Sequence, residues 1–272
     1  MSSTATGSVR AYYVENNGVK LYCREVGEGT PLVVVHGAAC NADFFAAAAE
    51  ELSGQYRVIS YDRRGYHRSV LAPGADTSFD VQVDDLAQIV SHAGESAYLV
   101  GCSAGAVIVE QFLEKYPHLA KHAILHEPPF VKSLEEPGDI SERLEKVGAL
   151  VSAGSYGRAW NRFCALCMIP DPEGLPMTDE ELVQGEKDGI HFMETEFFAA
   201  FGILPDFSKL RGTQFTLAAG GDGNVELYRK IAREVRERCG CAVEWFPGMH
   251  NAARERPVEF ARSIAGVFAR RA

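Results

Sequence analysis

The sequence predicts an α/β fold in which a mostly parallel, twisted sheet is flanked by helices and carries a helical insertion. Short apolar runs alternate with helix-like segments along most of the chain, and one aromatic-rich stretch breaks that alternation. Strands that alternate with helices form right-handed crossovers, which place consecutive strands parallel in one sheet. The interruption predicts a helical cap over residues 128–205, so the core would comprise residues 1–127 and 206–272.

The first two predicted strands, residues 11–15 and 20–26, flank Asn16-Asn17-Gly18, and Asn-Gly is typical of a tight hairpin turn. Residues 31–35 form a continuous apolar run, which indicates a strand buried on both faces. The later core strands are predicted at residues 56–61, 97–101, 121–126, 215–219 and 242–246. The helices between and after them are predicted at residues 42–52, 81–92, 104–116, 225–238 and 257–271.

Composition and charge restrict the classes of function. The 272 residues are 46% hydrophobic and carry a formal net charge of −10, with no long basic run. A nucleic-acid-binding protein is therefore not expected. Residues 1–10 are polar and no apolar run approaches the length of a membrane span, which predicts a cytoplasmic protein without a membrane partner. The expected partner is a small-molecule substrate, and the sequence leaves the oligomeric state open.

Seven cysteines are present, and an odd number in a chain of this size does not indicate a disulfide framework. Cys164 and Cys167 have C-x-x-C spacing, but no second pair has the spacing of metal ligands. The sequence therefore predicts neither a metal nor another cofactor.

The segment Gly101-Cys-Ser-Ala-Gly105 matches G-x-S-x-G, and it lies between a predicted strand and a predicted helix. A strand–serine–helix turn exposes the hydroxyl above the sheet, and the two glycines let the backbone approach closely. This context resembles the nucleophile elbow of the α/β-hydrolase fold, which implies that fold for the chain and makes Ser103 the candidate nucleophile.

Two further loops supply candidates for catalysis. His36-Gly37-Ala38 follows a buried strand, so the backbone N–H groups of Ala38 and Ala104 are the candidate oxyanion hole, with Gly37 as an alternative to Ala38. His250 follows the last predicted strand and is the candidate general base. A third loop, Asp62-Arg-Arg-Gly65 with Arg68, is predicted to be structural, with its arginines pairing acidic neighbours.

Two residues compete for the role of the triad acid. Asp222 lies near the end of the predicted strand 215–219, and Glu127 directly follows the predicted strand 121–126. Both strand ends are expected at the same edge of the sheet as Ser103, so either carboxylate could accept the Nδ1–H of His250.

Three segments, Gly101-Cys-Ser-Ala-Gly-Ala106, His126-Glu-Pro-Pro129 and Pro247-Gly-Met-His250, together resemble the zearalenone-lactonase group and its bacterial relatives. The resemblance implies that Glu127, 24 positions after Ser103, is the triad acid. The cap departs from the group, because neither Trp160 nor Trp245 falls where the group has its substrate-contacting tryptophan. Phe197 and Phe198 lie nearest that place and are the candidate substrate-binding residues.

These residues together predict a serine hydrolase that cleaves a carboxylic ester or lactone of a hydrophobic or aromatic small molecule through an acyl-enzyme. The aromatic residues of the cap predict an apolar lining above the serine; they include Trp160, Phe163, Phe192, Phe197, Phe198 and Phe201. Two alternatives stay open: a C–C bond hydrolase that uses the same triad, and a non-catalytic ligand-binding member of the fold.

Overall fold

A computed structural model describes residues 8–167, 178–222 and 226–271. Its eight strands are β1 (Arg10–Asn16), β2 (Val19–Val26), β3 (Pro31–Val35), β4 (Arg57–Tyr61), β5 (Ala97–Cys102), β6 (Ala120–His126), β7 (Phe215–Gly220) and β8 (Ala242–Phe246). The α-helices are α1 (Ala46–Leu52), α2 (Phe79–His92), α3 (Ala104–Lys115), α4 (Asp139–Ser152), α5 (Tyr156–Cys167), α6 (Asp179–Thr195), α7 (Phe197–Gly202), α8 (Phe207–Leu210), α9 (Glu226–Cys239), α10 (Ala252–Glu255) and α11 (Pro257–Ala269).

All eight strands belong to one sheet in the order β1-β2-β4-β3-β5-β6-β7-β8. The β1–β2 and β2–β4 pairs are antiparallel, and every other neighbouring pair is parallel. The predicted α/β fold with a mostly parallel sheet is therefore confirmed. The hairpin also forms as predicted, because Asn16 pairs with Val19 across the turn at Asn17 and Gly18.

The predicted boundaries differ from the observed ones by at most two residues, except in the segment 42–52. There the first turn, Ala42–Phe45, is a 3₁₀ helix, and α1 begins only at Ala46. The side chain of Asn41 caps that turn by accepting the N–H of Asp43 at 2.9 Å. The cap satisfies a donor that the helix itself leaves free.

Strand β3 shows why the sheet is covered on both faces. Val33 and Val35 belong to the apolar cluster formed with α2 and α3, whereas Leu32 and Val34 belong to the cluster formed with α1 and α11. Side chains of a strand alternate between the two faces, so a strand that is apolar at every position is stable only between two layers of helices. Each such side chain contributes about 1.5–3 kcal/mol on burial.

Between β6 and β7 the chain leaves the sheet, and this part of the chain includes residues 128–205, where the sequence predicts a helical cap. The described residues of the cap contain helices α4 to α7 and no strand. Helix α6 begins with a capping box, in which Thr178 accepts the N–H of Glu181 and Glu181 accepts the N–H of Thr178. Trp160 and Phe163 of α5 form part of a buried aromatic cluster with Phe192 and Phe197.

None of the helices in the described ranges has the length and apolar composition needed to span a lipid bilayer.

Candidate active site

Ser103 occupies the sharp turn between β5 and α3, with φ 54° and ψ −123°. A non-glycine residue with positive φ is strained and persists where the surroundings enforce it. The turn is enforced by close packing: a Cβ atom on Gly101 would lie 2.6 Å from the carbonyl oxygen of Gly105. The N–H of Ser103 donates to the carbonyl oxygen of His126 at 2.9 Å, which ties the turn to the neighbouring strand.

Glu127 directly follows β6, as Ser103 directly follows the neighbouring strand β5. It also has a positive φ, 48°. Its N–H donates to the carbonyl oxygen of Ala218 at 2.8 Å. The side chain is fully buried, its Oε1 accepts the N–H of Gly220 at 2.8 Å, and its Oε2 lies 2.6 Å from Nδ1 of His250. The structure thus brings the candidate acid and the candidate base into direct contact.

Burial by itself would raise the pKa of Glu127. The hydrogen bond to His250, the charge of that imidazole and the N–H of Gly220 outweigh burial and hold the pKa of Glu127 below its ordinary value. The carboxylate is therefore ionised at neutral pH and can accept a proton-bearing Nδ1. That arrangement leaves Nε2 of His250 as the nitrogen able to act as a base.

The ring of Tyr228, on α9, stacks on the imidazole of His250 with a centroid separation of 5.4 Å and an interplanar angle of 12°. Sequence reasoning missed this contact, because 22 positions and a loop separate the two residues.

Asp222, the rival acid, makes other contacts. Its Oδ2 accepts the N–H of Gly248 at 3.0 Å and pairs with Nη2 of Arg256 at 3.1 Å. The side chain is 46% exposed, in contrast to the buried Glu127. Asp222 therefore stabilises the loop that carries His250.

The predicted oxyanion loop lies against the elbow. A Cβ atom on Gly37 would be only 2.9 Å from Cβ of Ser103, so this close approach requires glycine. Ala38 lines the same cavity as Ser103, and Ala104 is the first residue of α3. The N–H of a first helical residue has no partner within the helix, so that of Ala104 is available to a ligand.

His36 fixes the backbone of this loop. Its Nδ1 lies 2.8 Å from the carbonyl oxygen of Gly37, and its Nε2 lies 3.0 Å from the backbone N of Arg63. Since an N–H of Arg63 can only donate, Nε2 accepts and the proton is assigned to Nδ1. Burial, together with the charge of Arg63, lowers the pKa of His36 well below its ordinary value and keeps the ring neutral.

A buried ion pair connects this loop to the cap. Nη1 of Arg63 lies 2.8 Å from Oε1 of Glu196, and Nη2 of Arg63 donates to the carbonyl oxygen of Gly37 at 3.2 Å. Gln82 and Tyr66 also donate to the Glu196 carboxylate. The sequence offered no signal for Glu196, which lies 133 positions from its partner.

The predicted pairing of the other loop arginines is confirmed. Nε of Arg64 donates to Asp85 at 2.6 Å, and Nε of Arg68 donates to Asp62 at 2.6 Å.

One cavity joins Ser103 and His250. Its described lining is largely apolar or weakly polar and includes no Asp, Glu, Lys or Arg; it consists of Gly37, Ala38, Cys40, Phe44, Phe45, Cys102, Ser103, Phe163, His250 and Asn251. Phe163 is the cap aromatic that reaches this lining. Phe44 and Phe45 were missed, although their position soon after the Gly37-Ala38 loop was a usable signal.

The two candidate substrate-binding residues lie elsewhere. Phe197 is 3% exposed and packs edge-on against Phe163, with 6.2 Å between the ring centroids. Phe198 is 56% exposed on the surface of the cap. Neither is part of the described lining around Ser103, so the structure does not bring them to this cavity.

Among the described residues, no group of three or more His, Cys, Asp or Glu side chains is arranged to hold a metal ion. Cys164, of the C-x-x-C pair, is a free thiol, and the side chain of Cys167 lies outside the described residues.

Comparison with known proteins agrees with this architecture. A family model described as alpha/beta hydrolase fold matches residues 30–154. The chain is 26% identical to the uncharacterized hydrolase YraK of Bacillus subtilis (strain 168), over 91% of this chain and 92% of YraK. It is 38% identical to the pimeloyl-[acyl-carrier protein] methyl ester esterase of Aliivibrio salmonicida (strain LFI1238), over 34% of this chain and 33% of the esterase.

Among solved structures, the haloalkane dehalogenase DatA of Agrobacterium tumefaciens C58 superimposes with a TM-score of 0.74 at 18% identity, covering 97% of this chain and 98% of DatA. At that identity the likeness concerns the fold. The sheet order, the elbow at Ser103, the family model over residues 30–154 and the likeness to these hydrolases together show that the chain has the α/β-hydrolase fold.

Proposed function

We propose that this protein is a serine hydrolase that cleaves a carboxylic ester or lactone of a hydrophobic or aromatic small molecule. One observation carries the proposal. Ser103 and His250 follow two strands of the sheet and line one cavity, and the buried Glu127, which follows a third strand, lies 2.6 Å from Nδ1 of His250 through its Oε2. Nucleophile, base and orienting acid are the parts that acyl transfer needs.

In the proposed mechanism, Oγ of Ser103 attacks the substrate carbonyl while Nε2 of His250 takes the hydroxyl proton. The N–H groups of Ala38 and Ala104 stabilise the oxyanion, and each such donor is worth roughly 3–4 kcal/mol in comparable enzymes. His250 then protonates the leaving alkoxide, which departs or, for a lactone, stays tethered to the acyl group. Water, deprotonated by His250, finally releases the acid and restores Ser103.

Two features support the substrate class. Phe44, Phe45 and Phe163 line the cavity, and its described residues include no acidic side chain and no Lys or Arg, which favours neutral apolar groups over charged ones. Ester chemistry is also the activity named for the methyl ester esterase that matches a third of the chain. The lactone alternative rests on the resemblance of the three catalytic segments to the lactonase group.

The test combines a covalent probe with a substrate panel. A fluorophosphonate should label the wild-type protein once, on Ser103, and should not label Ser103→Ala. A panel of p-nitrophenyl esters, aryl lactones and a diketone then defines the bond that is cleaved. Ser103→Ala should lose on the order of 10⁶ in kcat on the best substrate.

Three results would contradict the proposal in different ways. Turnover of the diketone alone would identify a C–C bond hydrolase with the same triad. A folded protein that binds these compounds, turns over none of them and is not labelled by the fluorophosphonate would favour the non-catalytic alternative. Ester turnover retained by Ser103→Ala would exclude Ser103 as the nucleophile.

A further inference from the structure

A pair of cysteines lies at the end of the sheet opposite to Ser103. Cys239 is the last residue of α9, and Cys241 directly precedes β8. Gly240 between them has φ 73°, and its N–H donates to the carbonyl oxygen of Arg236 at 2.7 Å. This left-handed residue ends the helix and turns the chain sharply. The turn places the two cysteines on either side of one glycine, and both line the same cavity.

The pair is accessible from solvent. Both cysteines are half-buried and line a surface cavity of about 290 Å³ together with Thr213, Gln214 and Arg271. The cavity can therefore admit a small thiol or disulfide. By contrast, Cys23 and Cys102 are buried.

The surroundings of Cys239 favour the thiolate. The neighbouring thiol of Cys241, whose effect outweighs burial, and the nearby charge of Arg211 lower the pKa of Cys239 to about 7. Nη2 of Arg211 donates to the carbonyl oxygen of Arg238 at 2.7 Å, which holds the guanidinium close to the thiol. Burial raises the pKa of Cys40 and of Cys164 to about 12 in each case. A thiolate is the reactive form of cysteine, so these thiols should differ strongly in reactivity.

We propose that Cys239 and Cys241 form a redox-active dithiol that exchanges with small-molecule disulfides such as oxidised glutathione. Sγ of Cys239 attacks one sulfur of the disulfide, forms a mixed disulfide and releases one thiolate. Sγ of Cys241 then attacks Sγ of Cys239, closes the Cys239–Cys241 disulfide and releases the second thiolate. The two protons of the cysteine thiols pass to the two released thiolates, so the protein dithiol is oxidised and the small disulfide is reduced to two thiols.

The position of Arg211 orders the two steps. Its guanidinium is held beside Cys239 by the hydrogen bond to the carbonyl oxygen of Arg238, and its charge favours the thiolate of Cys239, which is therefore the first nucleophile. The neighbouring Cys239 raises the pKa of Cys241 while both are reduced. This effect ends once Cys239 is part of a mixed disulfide, and Cys241 then ionises and attacks. In the reduced thiol form, the S–H of Cys239 donates a hydrogen bond to the carbonyl oxygen of Val235, with 3.0 Å between sulfur and oxygen.

The test uses the full-length protein in buffers of reduced and oxidised glutathione. After equilibration, free thiols are blocked by alkylation and the protein is cleaved with trypsin. The peptide 239–254 contains Cys239 and Cys241 and no other cysteine, so its mass reports on this pair alone. We expect the peptide to lose two hydrogens and to escape alkylation as the buffer becomes more oxidising, and dithiothreitol to reverse the change.

Single variants test the order of attack, with circular dichroism to check that each folds. Cys241→Ser should stop at a glutathione adduct on Cys239, whereas Cys239→Ser should react at least about tenfold more slowly at residue 241. Cys164→Ser is the matched control and should leave the behaviour of the 239–254 peptide unchanged. Full alkylation of that peptide in the most oxidising buffer would overturn the proposal, as would adduct formation at equal rates in the two single variants. Neither outcome depends on hydrolase activity, because the pair is remote from Ser103.

Discussion

Nδ1 of His250 lies 2.6 Å from Oε2 of Glu127, although 123 positions separate the two residues in the chain. The other oxygen of Glu127 accepts the N–H of Gly220, so both oxygens of a buried carboxylate have a donor. This satisfies the requirement that a buried charge be paired and hydrogen-bonded. The relationship leads to the first prediction.

Glu127→Gln should lower kcat by about 10⁴, the loss typical when the group that orients the histidine is neutralised. Asp222→Asn is the matched variant. Its amide oxygen can still accept the N–H of Gly248, so we expect a loss of less than about tenfold. Steady-state kinetics on the best ester measures both. A larger loss in Asp222→Asn than in Glu127→Gln would identify Asp222, which follows β7, as the triad acid.

Tyr228 should stabilise the imidazolium that forms on His250 in the transition state, because its ring stacks on the imidazole. Contacts between a cation and an aromatic face are worth about 0.5–1 kcal/mol at exposed sites, and about 1.36 kcal/mol corresponds to a factor of ten in rate. Tyr228→Leu should therefore lower kcat/KM on the best ester about two- to fivefold. Tyr228→Phe keeps the ring and should leave kcat/KM unchanged. An equal loss in both variants would assign the effect to the hydroxyl.

Phe163 should influence which substrates are accepted. Phe163→Leu should lower kcat/KM about tenfold for bulky aryl esters, in line with the effect of small changes in apolar pockets, and should affect acetate esters less. Phe198→Leu is the control, because Phe198 is 56% exposed and away from the described cavity lining. If the Phe198 variant changed selectivity and the Phe163 variant did not, the cap would contact substrate through its other aromatic residues.

The Arg63–Glu196 pair should contribute more to stability than surface pairs of the same kind. Removing one member of a buried pair leaves an unpaired charge and typically costs about 3–5 kcal/mol. We expect Glu196→Gln to lower the free energy of unfolding by that order, as measured by urea denaturation. Glu142→Gln removes the exposed partner of Lys146 and should leave the unfolding midpoint unchanged. Similar midpoints in both variants would show that the cap does not depend on the buried pair.

Glu110 should make stability depend on pH. It is 1% exposed, and burial together with the neighbouring Glu114 raises its pKa from 4.5 to about 9. Between these pH values the folded state holds a proton that the unfolded state has lost, so stability falls as pH rises from about 4.5 to 9. Glu110→Gln cannot ionise and should flatten this part of the profile. Urea denaturation at several pH values in that range measures the slope, and an unchanged slope in the variant would exclude Glu110 as its source.

The sheet was predictable because its signals are local. Each of three signals consists of residues within a few positions of one another: the run at residues 31–35, the Asn17-Gly18 turn and the strand–serine–helix segment. Each depends on burial or on backbone geometry. The strand after the predicted helix 104–116 also placed Glu127 at the same sheet edge as Ser103. Its spacing alone could not separate it from Asp222, since both carboxylates follow parallel strands.

The features that could not be predicted from the sequence depend on contacts between segments that are distant in the chain. Glu196 meets Arg63 only because the cap folds back over the loop after β4, and no periodicity encodes that contact. The cap aromatics illustrate the same limit. Phe163, Phe197 and Phe198 look alike in the sequence, yet one lines the cavity, one fills the cap core and one faces solvent.

The positive φ angles of Ser103 and Glu127 have a consequence for protein engineering. Backbone of this kind costs roughly 1–3 kcal/mol for a residue with a side chain, and glycine relieves much of it. A library screened only for thermostability would therefore be enriched in glycine at these two positions and would discard the proposed nucleophile and its acid together. Heat resistance should be sought elsewhere in this chain, with positions 103 and 127 held fixed.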